Sequence, residues 1–387
     1  MPPNLPSAKI RTLSTACLGA RKLRGALVTA LIIGASLAQA QAPPAYVPRQ
    51  DSIVLTHVPR AYASWREDES RIDTPAALEE VLAEVAKGGD ARLVGRMQLQ
   101  LDRFPADTPR LDVVLARVWI AQHRHDFSAA RLQLDALIVR QPRFASAIAM
   151  RAHLHLTQGR LHDGQRDCAA LLLLDQRQAS LCAARLAQRR GNLDAADRLL
   201  TRLRDGDDPI ARDARLLAAE VASLRGDALT ETLFRAARTA APGDVRPQIA
   251  YARWLRYKGR AAEALAFLPA DSAHDGLALE RVLAAVASGA DDADALRRRL
   301  VARHASARIA GASPELRDEA ELALVAGDAP LALRLALENF ETQRDIEDVD
   351  LLERAGRAAG GPEATEALLA WSSQEDVPRT AARTPRQ

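Results

Sequence analysis

The chain has 387 residues, 48% of them apolar but only 4% aromatic, with 53 basic against 50 acidic side chains. A core drawn from Ala and Leu argues against a β-sandwich, because the β-branched and aromatic residues that favour strands are scarce. Both Ala and Leu are strong helix formers, and the composition predicts an all-α protein.

The first forty residues read as an export signal. Arg21-Lys22-Leu23-Arg24 is a basic cluster, GALVTALIIGASLA follows at 25–38 without a charge, and Ala38-Gln39-Ala40 is a small-x-small cleavage site. This is the three-part pattern of a secretory signal peptide. The apolar run of 14 residues is shorter than the ~20 residues that span a bilayer. Cleavage after Ala40 is expected, with an uncleaved amphipathic anchor as the alternative. Cys17 precedes the apolar run, which argues against a lipoprotein. Residues 1–40 hold Lys9, Arg11, Arg21, Lys22 and Arg24 and no acid; without these five, 48 basic residues face 50 acidic ones, a net charge of −2. The mature chain therefore makes no electrostatic case for nucleic acid, and no transmembrane segment is expected in it. Its only lysines are Lys87 and Lys258, an Arg bias that GC-rich bacterial coding produces. The expected compartment is the periplasm.

Residues 41–71 form a Pro-rich leader without helical period, and a repeat begins after it. GRLHDGQRDCAALLLLD (159–175), GNLDAADRLLTRLRD (191–205), GDALTETLFRAARTAAPGD (226–244), GRAAEALAFLP (259–269) and GDAPLALRLALENF (327–340) each open on Gly before an amphipathic run. With weaker copies the landmarks fall at 89, 125, 159, 191, 226, 259, 289, 327 and 360, an average spacing of about 34 residues. Such a period indicates stacked helical hairpins. Gly ends one helix in the left-handed conformation, and Asp227, Asn192 or Asp328 is placed to cap the next. Pro142 and Pro242 end second helices; Pro75, Pro247, Pro314, Pro330 and Pro362 suit first turns.

The pattern of Asp126-Phe127 at a turn, small Ala130, large Leu134 and terminal Pro142, echoed by Ala264, Ala332 and Phe234, resembles that of tetratricopeptide (TPR) repeat proteins. The Trp-Leu-Gly-Tyr signature of that family's first helix is mostly absent and the period wanders. The resemblance implies a degenerate TPR-like α-solenoid of about nine hairpins over residues 72–372, other α-solenoids remaining open. A polar tail, expected to be disordered, follows at 373–387.

No G-x-S-x-G, G-x-x-x-x-G-K-[ST], H-E-x-x-H or C-x-x-C motif occurs, so no enzyme, cofactor or metal centre is expected. The TPR resemblance places Asp112, Leu115, Trp119 and His123, then His153, then Arg185 and Arg189, then Arg246, Arg253, Arg256 and Tyr257 on the concave groove. Arg grips carboxylates in a bidentate way, so the groove implies an acidic peptide or chain terminus of a protein partner. The alternative is an ordinary solvated face of ion pairs. The histidines at 123, 125, 153, 155 and 162 suggest a second reading, a metal-handling accessory protein, although H-x-H on a helix sends its two rings to different faces. Cys168 and Cys182 lie about equally far from the turn near 175–177, in a second helix and the next first helix. An oxidising compartment permits a disulfide between them; two buried thiols are the alternative.

Overall fold

In the computed structural model, the structure describes Leu78, residues 91–309 and residues 312–377. All belong to the second of the chain's two units, Arg66–Gln387; the first is Met1–Trp65. The expected signal peptide, the leader, Pro75, Gly89 and the tail from 378 lie outside the described residues. Those described form seventeen helices and no strand. The first described helix is α1 (Ala91–Leu101). Four hairpins follow: α2 (Leu111–His123) with α3 (Phe127–Arg140), α4 (Ala145–Thr157) with α5 (Leu161–Leu171), α6 (Gln176–Arg189) with α7 (Leu193–Thr201), and α8 (Pro209–Arg225) with α9 (Thr230–Ala240). Four more complete the array: α10 (Val245–Tyr257) with α11 (Ala261–Phe267), α12 (Asp275–Ser288) with α13 (Ala293–Ile309), α14 (Leu316–Val325) with α15 (Ala329–Thr342), and α16 (Ile346–Ala359) with α17 (Glu363–Gln374). No described helix is long and apolar enough to cross a membrane.

The turn landmarks have one physical basis. Residues 125, 159, 191, 226, 259, 289, 327 and 360 all have φ between 58° and 80°. Seven are Gly, which adopts this left-handed conformation without a Cβ clash; His125, at 58°, is the exception. Gly159 is required twice over, since a Cβ there would lie 2.7 Å from Nε1 of Trp371. Side chains of Asp126, Asn192 and Asp328 accept bonds from the N–H groups of Ala129, Ala195 and Leu331, each capping the helix that follows. Asp227 does not cap: α9 begins only at Thr230, whose hydroxyl donates to the Asp227 carbonyl, and the Asp227 carboxylate pairs with Arg225 at 3.5 Å. Ala228 and Leu229 form a short turn between them, and Leu229 stays exposed rather than joining the apolar face expected of it.

Small residues let the helices of a pair approach closely. Ala130, Ala264 and Ala332 are fully buried, as is the large residue Leu134, and Phe234 is nearly so. Neighbouring hairpins stack, and each first helix from α4 to α14 touches the first helix of the next hairpin. The first helices thus form one continuous layer. The array then returns on itself. Leu156, Leu161 and Leu186 of α4–α6 share one apolar core with Phe340, Leu351, Leu352, Trp371 and Val377 from the last two hairpins. Arg344 N–H donates to the Thr157 carbonyl at 2.8 Å, and Trp371 Nε1 to that of Gly159 at 2.9 Å. Val377 and Glu375 are buried, and Glu375 accepts from the backbone N–H of His162. The packed region therefore runs to residue 377, beyond the boundary expected at 372.

Candidate functional site

The first-helix layer and the returning hairpins line an open chamber of about 760 Å³. Its wall is built by helical spacing, residues three or four apart sharing a face. Trp119 and His123 come from α2, Met150 and His153 from α4, Leu181 and Arg185 from α6. Ile210, Asp213 and Glu220 come from α8, and Arg246, Ile249 and Arg253 from α10. The connection between α15 and α16 adds Gln343 and Asp345 to the wall, and the first turn of α16 adds Glu347. A second cavity of about 230 Å³ shares His153, Arg185, Arg253 and Glu347 with it and adds Arg189 and Tyr257. Of the residues expected on the groove, Trp119, His123, His153, Arg185, Arg189, Arg246, Arg253 and Tyr257 therefore do converge.

Arg256, Asp112 and Leu115 do not line these cavities. Arg256 turns toward Glu280, 3.5 Å away, with its guanidinium over the Tyr257 ring. Asp112 is held by Arg110, and Leu115 packs into the core between α2 and α3.

The arginines are already occupied. Arg189 donates to the carbonyls of Leu156 and Arg344, both at 2.8 Å, and pairs with Asp345 at 2.6 Å, its side chain only 8% exposed. Arg253 bridges Glu280 at 2.9 Å and Glu347 at 2.8 Å. Arg246 holds Asp213 and Asp244, and Arg185 lies 3.6 Å from Asp213. Tyr257 donates to Asp350 at 3.2 Å. The acidic segment that suits this wall is thus the chain's own Asp345-Ile346-Glu347-Asp348-Val349-Asp350. A run of four acids in six residues, in a chain whose expected groove is rich in Arg, is the sequence signal that points to it.

Desolvation shifts the protonation of the chamber groups. His153 is exposed at the chamber wall, but the protein around it disfavours the charged ring and, with Arg185 second, lowers its pKa to about 4. Desolvation first and Glu347 second push Glu220 up to about 7. Desolvation also lowers His123, whose ring stacks on Trp119 with centroids 5.3 Å apart.

Of the five histidines expected to cluster, His123, His125 and His153 line the chamber, and His155 and His162 do not. His125 meets Glu315 at 3.2 Å and Gln343 at 2.9 Å. His155 lies beside Asp167, and His162 lies 3.7 Å from Asp376. Among the described residues no three His, Cys, Asp or Glu side chains converge as a metal-ligand set. Cys168 of α5 and Cys182 of α6 are joined by a disulfide, with Cα atoms 5.4 Å apart; Cys182 also reaches the chamber wall. Compared with protein-family models and with curated proteins, the chain matches none.

Proposed function

We propose that the protein is an exported, non-enzymatic TPR-like α-solenoid that holds an extended peptide segment of a protein partner in the chamber. The observation that carries this reading is the convergence of five successive first helices on one chamber of about 760 Å³. Its apolar strip of Trp119, Met150, Leu181, Ile210 and Ile249 offers pockets for side chains. Gln122, Gln178 and Gln343 stand among them, and amide side chains can both donate to and accept from a peptide backbone. The internal pairing of the arginines changes the expected ligand. A polyacidic peptide finds few unused guanidinium groups, whereas a mainly apolar segment with isolated charges of either sign fits the wall. The absence of hydrolase and nucleotide motifs from the sequence favours binding over catalysis.

Filling the chamber tests this. Ala149 and Ala250 both line it, and Ala149→Trp or Ala250→Trp removes volume without touching an ion pair. The tagged mature protein, crosslinked mildly in its host envelope, is expected to capture a defined partner through a short segment that crosslinks to chamber residues. Both Trp variants are expected to lose that partner at unchanged helicity. Equal capture by wild type and variants, or no crosslink to a chamber residue, would rule the reading out.

A further inference from the structure

A separate pocket, of about 240 Å³, lies among α3, α4 and α5 and shares no residue with the chamber. Its lining is wholly titratable or charged: four arginines and one histidine against three aspartates. Arg151 is the frame. It donates to Asp135 at 2.8 Å and grips Asp167 with Nε at 3.0 Å and Nη2 at 2.6 Å. Those two carboxylates are thereby engaged. Arg160 and Arg166 both reach the one carboxylate of Asp163, and Arg131 holds Asp135 through Nη1. Arg131, Arg160 and Arg166 each use a single nitrogen in these pairs, and a guanidinium carries five N–H donors. Positive groups therefore outnumber carboxylates, and unused donors surround the space.

One buried ring nitrogen of the lining has no hydrogen-bond partner. His155 is 7% exposed and lines this pocket, yet its Nδ1 makes no hydrogen bond. Its other nitrogen is 3.7 Å from Asp167. A buried polar atom left unbonded is costly, and an oxyanion in the pocket would remove the cost by accepting from a protonated ring. The volume suffices: a water takes about 30 Å³, so the pocket holds a tetrahedral oxyanion with several waters.

We propose that this pocket is a binding site for a dianionic phosphoryl group, either free phosphate or a phosphomonoester. Arg160, Arg166 and Arg131 supply charge-assisted bonds, and His155 is the buried histidine of the lining. The site is independent of the chamber, so the failure of one leaves the other standing.

The test is calorimetric titration of the mature protein at low ionic strength, where such contacts are least screened, with inorganic phosphate and with glucose 1-phosphate as separate probes. Saturable binding of one equivalent is expected. Arg160→Ala with Arg166→Ala should weaken it by about tenfold or more, since two charged hydrogen-bond donors are lost. Arg235→Ala, which removes an exposed arginine of α9 paired with Glu231, should leave it unchanged. NMR of the imidazole supplies a second readout: bound dianion favours the charged ring, so the His155 pKa should move upward with either probe. Tighter binding of the ester than of the free anion assigns the source to an esterified phosphate, and the reverse to the free ion. No saturable heat with either probe, equal affinity in the double variant, or an unmoved His155 titration would each overturn the site.

Discussion

The middle of the array and its closing seam are held together differently. Between α6 and α12 the hairpins meet through small and apolar side chains: Ala184, Ala196, Leu200, Ala214 and Leu217 in one core, then Phe234, Tyr251, Leu255 and Ala264 in the next. Each contact joins neighbours in sequence. At the seam, where α4–α6 meet the last two hairpins, apolar packing continues but buried charge joins it. Six acids are buried among the described residues, and four of them, Glu321, Asp348, Asp350 and Glu375, lie beyond residue 315. Asp348 accepts four bonds, from Arg317 twice, Asn339 and the Asp345 N–H, all within 2.6–2.8 Å. Repetition gives stability through many similar small contacts. Most of these charges fix the packing within the last two hairpins; across the seam, Arg189 with Asp345 at 2.6 Å and Glu375 with the His162 N–H disfavour any other register, which would leave them unpaired.

The largest effect should come from breaking that pairing. Arg189→Ala strips donors from the Leu156 and Arg344 carbonyls and leaves Asp345 without its 2.6 Å partner. Removing one side of a buried pair typically costs about 3–5 kcal/mol. Asp348→Ala should cost a similar amount. Hydrogen exchange should show where: amides of α14–α17 open first, while those of α7–α9 keep their protection through neighbour contacts; α10, bonded to the last hairpin through Arg253 and Tyr257, should fall between. Uniform loss of protection across all helices would show that middle and seam form one cooperative unit.

This contrast also explains what was legible in the sequence. Turns and helix ends are local, so Gly at 159, 191, 226, 259, 289, 327 and 360 marked left-handed turns that the structure contains, all at positive φ. Ala130, Ala264 and Ala332 were readable as close-packing positions for the same reason. The first-helix face came from the TPR resemblance, which put Trp119 with His123 and Arg246 with Arg253 on the wall they do line, and also Asp112, Leu115 and Arg256, which line neither cavity. The partners of the groove arginines were not legible. Arg253 and Glu347 are 94 residues apart and Arg189 and Asp345 are 156 apart in the sequence, and periodicity carries no information about which distant hairpin returns. Position alone also points to Asp227 as a cap, but the delayed start of α9 depends on the Thr230 hydroxyl.

A smaller effect should appear as pH dependence confined to the chamber and seam. Glu220 is raised from 4.5 to about 7 in the folded protein, so the folded state binds its proton more tightly than the unfolded state. Its unfavourable contribution is absent below pH 4.5 and complete above pH 7. Asp318 behaves alike, raised from 3.8 to about 8 by desolvation and by Glu315. His153 has the opposite sign: lowered from 6.5 to about 4, it leaves stability intact above pH 6.5 and removes it as pH falls toward 4. Glu220→Gln should therefore stabilise by about 1–2 kcal/mol at pH 8 and by nothing at pH 4. His153→Gln should stabilise at about pH 4.5 and not at pH 8. Urea unfolding of both variants at about pH 4, 6 and 8 checks the signs. A Glu220→Gln gain that is constant with pH would mean that Glu220 titrates normally and that the chamber is as wet as the outer surface.

The smallest effect separates turn from seam at a single residue. His125 stands where the other described turns of the series have Gly, at φ 58°, and its ring meets Glu315 and Gln343 across 190 and 218 residues of sequence. A non-Gly residue in this conformation costs about 1 kcal/mol relative to Gly. The two ring contacts, partly exposed, return about 0.5–1.5 kcal/mol. His125→Gly removes both terms and should change stability by less than about 1 kcal/mol. His125→Ala keeps the backbone cost and loses the ring, so it should be less stable than His125→Gly by about 1 kcal/mol. Equal stability of the two variants would mean that the backbone relaxes out of the left-handed region once the ring is gone. The seam contact, rather than the hairpin, would then be what holds residue 125 in the conformation its neighbours reach with Gly.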